Sequence, residues 1–151
     1  MTADEAMRRL NIITAHLWMV RRFLKHAEEL EQAPHLHEVH RQIFDYVRAL
    51  EPSWQRQDAQ EYLRRARGKL PRLKRVAELL ASQYRQVSDH TNFAMAALSL
   101  SGCVQQIEEL LNAVSTTPVA HTSSVSAAAR NPESAGVNPS SGATSDHQEQ
   151  G

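Results

Sequence analysis

The sequence predicts an all-α protein: an up-down-up-down four-helix bundle over residues 1–115, followed by a disordered Ser/Thr/Ala/Pro-rich tail over residues 116–151. Three observations carry this. The first is that apolar residues recur at alternating three- and four-residue steps. They do so at Leu10, Ile13, Leu17, Val20, Leu24 and Ala27, again at Leu63, Ala66, Leu70, Leu73, Ala77, Leu80 and Tyr84, and again at Phe93, Ala97, Leu100, Val104, Ile107, Leu111 and Val114. Such steps keep one helix face against a partner and specify long helices packed nearly antiparallel. The second is that the last two stripes mirror each other about a turn at residues 88 and 89, so that facing positions add up to about 177. The third is that no Leu, Ile, Phe, Tyr or Trp occurs after Thr116. That segment cannot bury enough apolar surface to offset an ordering entropy of roughly 1–2 kcal/mol per residue.

The first helix opens on a capping-box pattern, Thr2 with Glu5, and is expected to reach about Gln32. Pro34 stops it and can begin the second helix, where its missing N–H is not needed. The second helix is expected over about His35 to Leu50, ending before Pro52, with a loop from Pro52 to Gln57. Facing positions of helices one and two add up to about 67, which sets Leu24 against Ile43, Val20 against Val47 and Leu17 against Leu50. Trp54 then falls opposite Ile13. Asp58 and Glu61 repeat the capping pattern and open a third helix reaching about Val87. Pro71 costs that helix a hydrogen bond and a steric clash, about 3 kcal/mol or more. The apolar register nevertheless passes through Gly68 and Pro71 without a phase shift, so one kinked helix is expected in place of two. Ser88 or Asp89 should cap the fourth helix, which continues to about Ser115.

Composition narrows the functional classes. The formal net charge is zero, with a small positive excess before Ser115 and a small negative one after it. Neither half has the basic bias of a dedicated nucleic-acid binder. The single Cys103 excludes an internal disulfide framework and fits a reducing compartment. No secretory signal and no membrane-spanning run are present, so a cytoplasmic protein is expected. No serine-nucleophile motif, phosphate-binding glycine loop, cysteine pair or dinucleotide fingerprint occurs. No catalytic residue and no cofactor are therefore assigned.

Several residues remain as candidates for contact. Trp18 projects away from the first apolar stripe among Arg21, Arg22 and Lys25, and a large aromatic on a basic face is a hot-spot pattern. Its bland counterpart is a ring folded over its own helix under the Arg22 stem. The third helix carries a basic sleeve of Arg64, Arg65, Arg67, Lys69, Arg72, Lys74 and Arg75. Glu61 accounts for Arg65 and Glu78 for Lys74, and the hairpin register brings Glu108 and Glu109 level with Lys69 and Gly68. Arg67, Arg72 and Arg75 are left with the weakest claims to partners. On the fourth helix, Ala94, Ser101 and Gly102 are small and should turn away from helix three, as a homodimer interface would require.

Two constellations admit chemistry. His26, His37 and His40 lie near one level of helices one and two and could approach a metal ion, although their spacing matches no helical metal motif. His40, set against Ala27, reads more simply as an imidazole filling space. Arg85 and His90 have the spacing of an Arg–His ribonuclease pair, a spacing that chance also supplies at Arg21 and His26. The leading expectation is a non-catalytic binding or regulatory module whose partner is another protein or a second copy. A nucleic-acid-associated bundle is the second reading, and a metal-binding bundle the third.

Overall fold

Four helices account for most of residues 1–115, the part of the chain that the computed structural model describes. They are α1 (Ala3–His26), α2 (His37–Gln55), α3 (Ala59–Val87) and α4 (Thr91–Ser115). Each packs on its sequence neighbours and α4 closes the ring on α1, giving the up-down bundle. The tail expected over 116–151 lies outside the described residues.

The buried side chains are those of the apolar stripes. Leu10, Ile13, Leu17, Val20 and Leu24 of α1, Leu63, Ala66, Leu73, Ala77 and Leu80 of α3, and Phe93, Ala97, Leu100, Val104, Ile107 and Leu111 of α4 form one core with Val39, Ile43, Tyr46 and Leu50 of α2. Leu70 and Tyr84 pack at its margin. Pro71 lies inside one uninterrupted α3, as the register requires.

The caps hold in part. Thr2 accepts the Glu5 amide and Asp58 accepts the Glu61 amide, at 3.1 and 3.0 Å. The reciprocal carboxylates are engaged elsewhere: Glu5 pairs with Arg9, and Glu61 with Arg64 and Arg65.

Three boundaries differ from expectation. The first helix ends at His26 and not near Gln32; Ala27 is extended, and the chain continues as short 3-10 turns over Glu28–Gln32 and Pro34–Leu36. Glu28, Glu29 and Glu31 explain the stop, because three carboxylates would oppose the negative end of a longer helix but suit the start of a new turn. Leu30, Ala33 and Leu36 anchor this connection in the core, and the His37 ring donates to the Leu30 carbonyl at 2.7 Å.

The second helix does not end at Leu50. It runs from His37 through Pro52 to Gln55. Proline removes a single N–H bond there, close to the helix end, while continuing the helix buries Ser53 and sets Trp54 against Tyr62 at 6.3 Å between ring centroids. The segment expected as a loop is thus mostly helix. Its end is a Schellman turn: Asp58 N–H donates to Ser53 O at 2.9 Å and Gln57 N–H to Trp54 O at 3.0 Å, with Gln57 in the left-handed region at φ 55°.

The fourth helix starts at Thr91, and neither Ser88 nor Asp89 caps it. The Ser88 hydroxyl accepts the His90 amide within the turn, and His90 Nδ1 accepts the Asn92 amide at 3.1 Å. A later start hands the capping role to the imidazole.

Candidate functional site

The sequence around Trp18 meets α2 in a stack of rings and cations. Trp18 lies 5.9 Å from Phe44, and the Arg21 guanidinium carbon sits 4.4 Å from the Trp18 centroid and 4.7 Å from that of Phe44. Arg21, not Arg22, covers the indole; Arg22 is exposed and joins no ring contact. A guanidinium packed against two neighbouring rings gains cation–π attraction and loses some of its freedom to rotate.

Beyond Phe44 lies a cleft of about 400 Å³ between α1 and α2, lined by Arg21, Lys25, His40, Arg41, Phe44 and Asp45. No ion pair among the described residues engages Arg21, Lys25 or Arg41. Arg21 Nε is buried without a protein hydrogen-bond partner. Burial, and then the positive charge of His37, Arg41, Arg21 and Lys25, holds the His40 imidazole below its ordinary pKa.

Next to Trp18, a second cleft of about 300 Å³ runs between α1, α2 and the start of α3, with Thr14, Trp54 and Tyr62 in its wall. The Tyr46 hydroxyl is buried without a protein hydrogen-bond partner, and the Tyr62 hydroxyl, also buried, faces Thr14 without well-shaped hydrogen-bond geometry. Burial pushes both phenols well above their ordinary range.

The histidines do not converge. His26 is exposed beside Glu28, Glu29 and His90, the His37 ring is committed to Leu30, and His40 belongs to the basic cleft. The His37 and His40 rings are 5.9 Å apart, yet among the described residues no three His, Cys, Asp or Glu side chains could hold one metal ion. Arg85 and His90 serve separate purposes: Arg85 donates to the Tyr84 hydroxyl at 3.2 Å while His90 caps α4.

The sleeve on α3 is largely self-satisfied. Arg64 and Arg65 share Glu61, and Lys74 meets Glu108 across the α3–α4 seam. Arg67 and Arg75, expected to lack partners, have them. Arg67 donates to Leu111 O and Ser115 Oγ at 3.1 and 2.9 Å, and Arg75 pairs with Glu38 of α2 at 2.8 Å. Of the three, Arg72 alone has neither an ion pair nor a side-chain hydrogen bond among the described residues. These pairs are solvated and contribute little stability individually.

On α4 the expected geometry changes. Ala94 and Ser101 share a seven-residue line with Glu108, whose contact with Lys74 makes that line the edge bordering α3. They flank the α3 contact and do not turn away from it. Gly102 instead shares the outer face with Met95 and Leu98, and a side-chain carbon added to it would meet nothing within 4 Å. Met95 and Leu98 are 54% and 65% exposed, and Ile12 and Met19 of α1 are 61% and 64% exposed. Phe23, one turn beyond Met19, touches Phe93 at 5.2 Å, so this side of α1 borders α4. The sequence reading missed Ile12, Met19, Met95 and Leu98, and also Arg41 and Phe44. A signal for the α4 pair was present: from Thr91 to Ile107 no charged residue occurs.

None of the helices among the described residues is long and apolar enough to cross a membrane. Comparison with protein-family models, with curated proteins and with solved structures finds no match.

Proposed function

We propose that the protein is a non-catalytic binding module, that its contact surface is the outer face of α1 and α4, and that a second copy occupies this surface. The observation that carries the reading is an uncharged helix facing solvent: α4 has no charge from Thr91 to Ile107, yet Met95 and Leu98 are more than half exposed. A helix on a bundle surface ordinarily places charge on its solvent side. Ile12 and Met19 extend the apolar area onto the neighbouring helix.

Size and charge favour self-pairing. A face spanning this stretch of helix is about 25 Å long at about 1.5 Å per residue, and two helices wide at about 10 Å each. It could bury about 500 Å² per copy, or about 1,000 Å² in a pair, which is the lower bound for a specific interface. A two-fold axis brings a surface onto itself, so a strongly charged patch would repel its own copy; α4 brings no charge here, and the exposed Arg8, Arg9 and Arg22 of α1 place the axis nearer α4 than α1.

Sedimentation of the full chain at micromolar concentration tests this, with a dimer expected. Leu98→Glu and Met95→Glu should yield monomers with unchanged helical circular dichroism, since both side chains are exposed. A monomeric parent protein, or variants that remain dimeric, would refute the assignment.

A further inference from the structure

We propose that the cleft between α1 and α2 is a binding site for a phosphate monoester, with Arg21, Lys25 and Arg41 as donors and Phe44 as the wall for the group that the phosphate carries. This site is separate from the α1–α4 face and does not depend on dimer formation.

The first support is electrostatic. Three cations line the cleft against one carboxylate, Asp45, leaving an excess of two positive charges. On α3, by comparison, Arg64, Arg65, Lys74 and Arg75 are each in an ion pair with Glu61, Glu108 or Glu38. Here the cations converge without being neutralised. A phosphate monoester carries a charge of about −1.5 to −2 near pH 7 and presents three acceptor oxygens, which matches both the excess and the number of donors. A carboxylate or a phosphodiester brings a single charge and leaves the excess half compensated. Burial first, and then the surrounding positive charge, holds the His40 imidazole below its ordinary pKa.

The second support is preorganisation. Arg21 packs against both the Trp18 and Phe44 rings, which limits the orientations open to its planar donor fork before a ligand arrives. Its buried Nε lacks a protein partner, and a buried donor left unsatisfied is costly. A ligand oxygen at the guanidinium would form a charge-assisted bond. The third support is space. The volume of about 400 Å³ exceeds what a bare phosphate needs and falls within the range of small-molecule sites. Phe44 is 36% exposed, so an aromatic or other flat group on the phosphate has a surface to lie on.

The test titrates the full chain with inorganic phosphate, phenyl phosphate, and a short single-stranded oligonucleotide lacking terminal phosphate. Calorimetry and the NMR signals of the His40 ring are the readouts. Phenyl phosphate should saturate at lower concentration than inorganic phosphate, and both should move the His40 signals. Lys25→Gln and Arg41→Gln, both at exposed positions, should each weaken phenyl phosphate at least about tenfold while leaving the helical spectrum intact. Arg72→Gln, on the exposed surface of α3, should leave binding unchanged. Four outcomes would overturn the proposal: His40 signals that stay still at millimolar probe, equal weakening by Arg72→Gln and Lys25→Gln, inorganic phosphate binding as tightly as phenyl phosphate, or tighter binding of the oligonucleotide at equal salt. The last would assign the cleft to a nucleic-acid chain. Sedimentation of the Lys25→Gln variant separates this result from the dimer proposal, since the variant should self-associate like the parent.

Discussion

Removing a hydroxyl from the core should make this protein more stable. Tyr46 is 1% exposed, and its hydroxyl oxygen is buried without a protein hydrogen-bond partner. Burial, reinforced by nearby Tyr62, pushes the phenol far above its ordinary pKa, as a low-dielectric setting demands. A buried polar group without a partner costs about 1–3 kcal/mol relative to a hydrated one. Tyr46→Phe removes that cost and keeps the ring, so the packing against Ile43 and Leu50 survives. The void left by one oxygen takes back less than about 1 kcal/mol. The net expectation is a stabilisation of about 1–2 kcal/mol. Urea unfolding followed by circular dichroism should show a higher midpoint at unchanged slope, and the melting temperature should rise by roughly 3–6 °C. The double variant with Tyr62→Phe sharpens the test. If each hydroxyl is unsatisfied independently, the two effects add; if the hydroxyls satisfy one another, each single change destabilises and the double change does not. A Tyr46→Phe protein that loses 1 kcal/mol or more would refute the reasoning.

Two further predictions follow from other parts of the bundle. Asp58→Ala removes the acceptor for the Glu61 amide at the start of α3 and should cost about 1 kcal/mol in urea unfolding, whereas Asp58→Asn should cost little. His40 has its pKa lowered below 6.5 in the folded protein, so the unfolded chain takes up its proton first as the pH falls. Stability contributed by the neutral ring is therefore complete above about pH 6.5 and declines below it, until the folded-state pKa is reached. Unfolding free energies measured from pH 7.5 to 5 should fall less steeply for His40→Gln than for the parent; equal slopes would show that His40 is not the group responsible.

The bundle was legible because its burial is periodic. Leu63 to Tyr84 and Phe93 to Val114 hold one phase over many turns, and a long, consistent stripe outweighs a single proline, as Pro71 shows. Helix ends were less legible because they are decided by small, competing terms. Pro52 suggested a stop, but burial of Ser53 and Trp54 favoured another turn. At the end of α1, charges on Glu28, Glu29 and Glu31 determined what apolar spacing did not. Of the candidate site, Trp18 was legible as an anomaly on one helix. Its neighbours were not, since which residue of α2 lies against it depends on register. The pairing arithmetic sets Arg21 near Asp45 and Lys25 near Arg41, as in the cleft, but it does not say that the Phe44 ring reaches along the seam to Trp18. The α4 face was misjudged by side-chain size alone. Glu108 holds the line of Ala94 and Ser101 against α3, and only tertiary structure supplies that contact.

The closure of α4 on α1 has a mechanical consequence. In an up-down-up-down bundle the first and last helices are antiparallel neighbours, so the start of α1 and the end of α4 emerge at the same end. Tension applied across these two points would open the α1–α4 seam like a zipper, a turn at a time, instead of shearing the whole interface at once. Opening would begin near Ala6, Met7 and Leu111 and reach the Phe23–Phe93 contact last. A second copy seated across Ile12, Met19, Met95 and Leu98 would span that seam, so dimerisation would also act as a clasp against peeling forces.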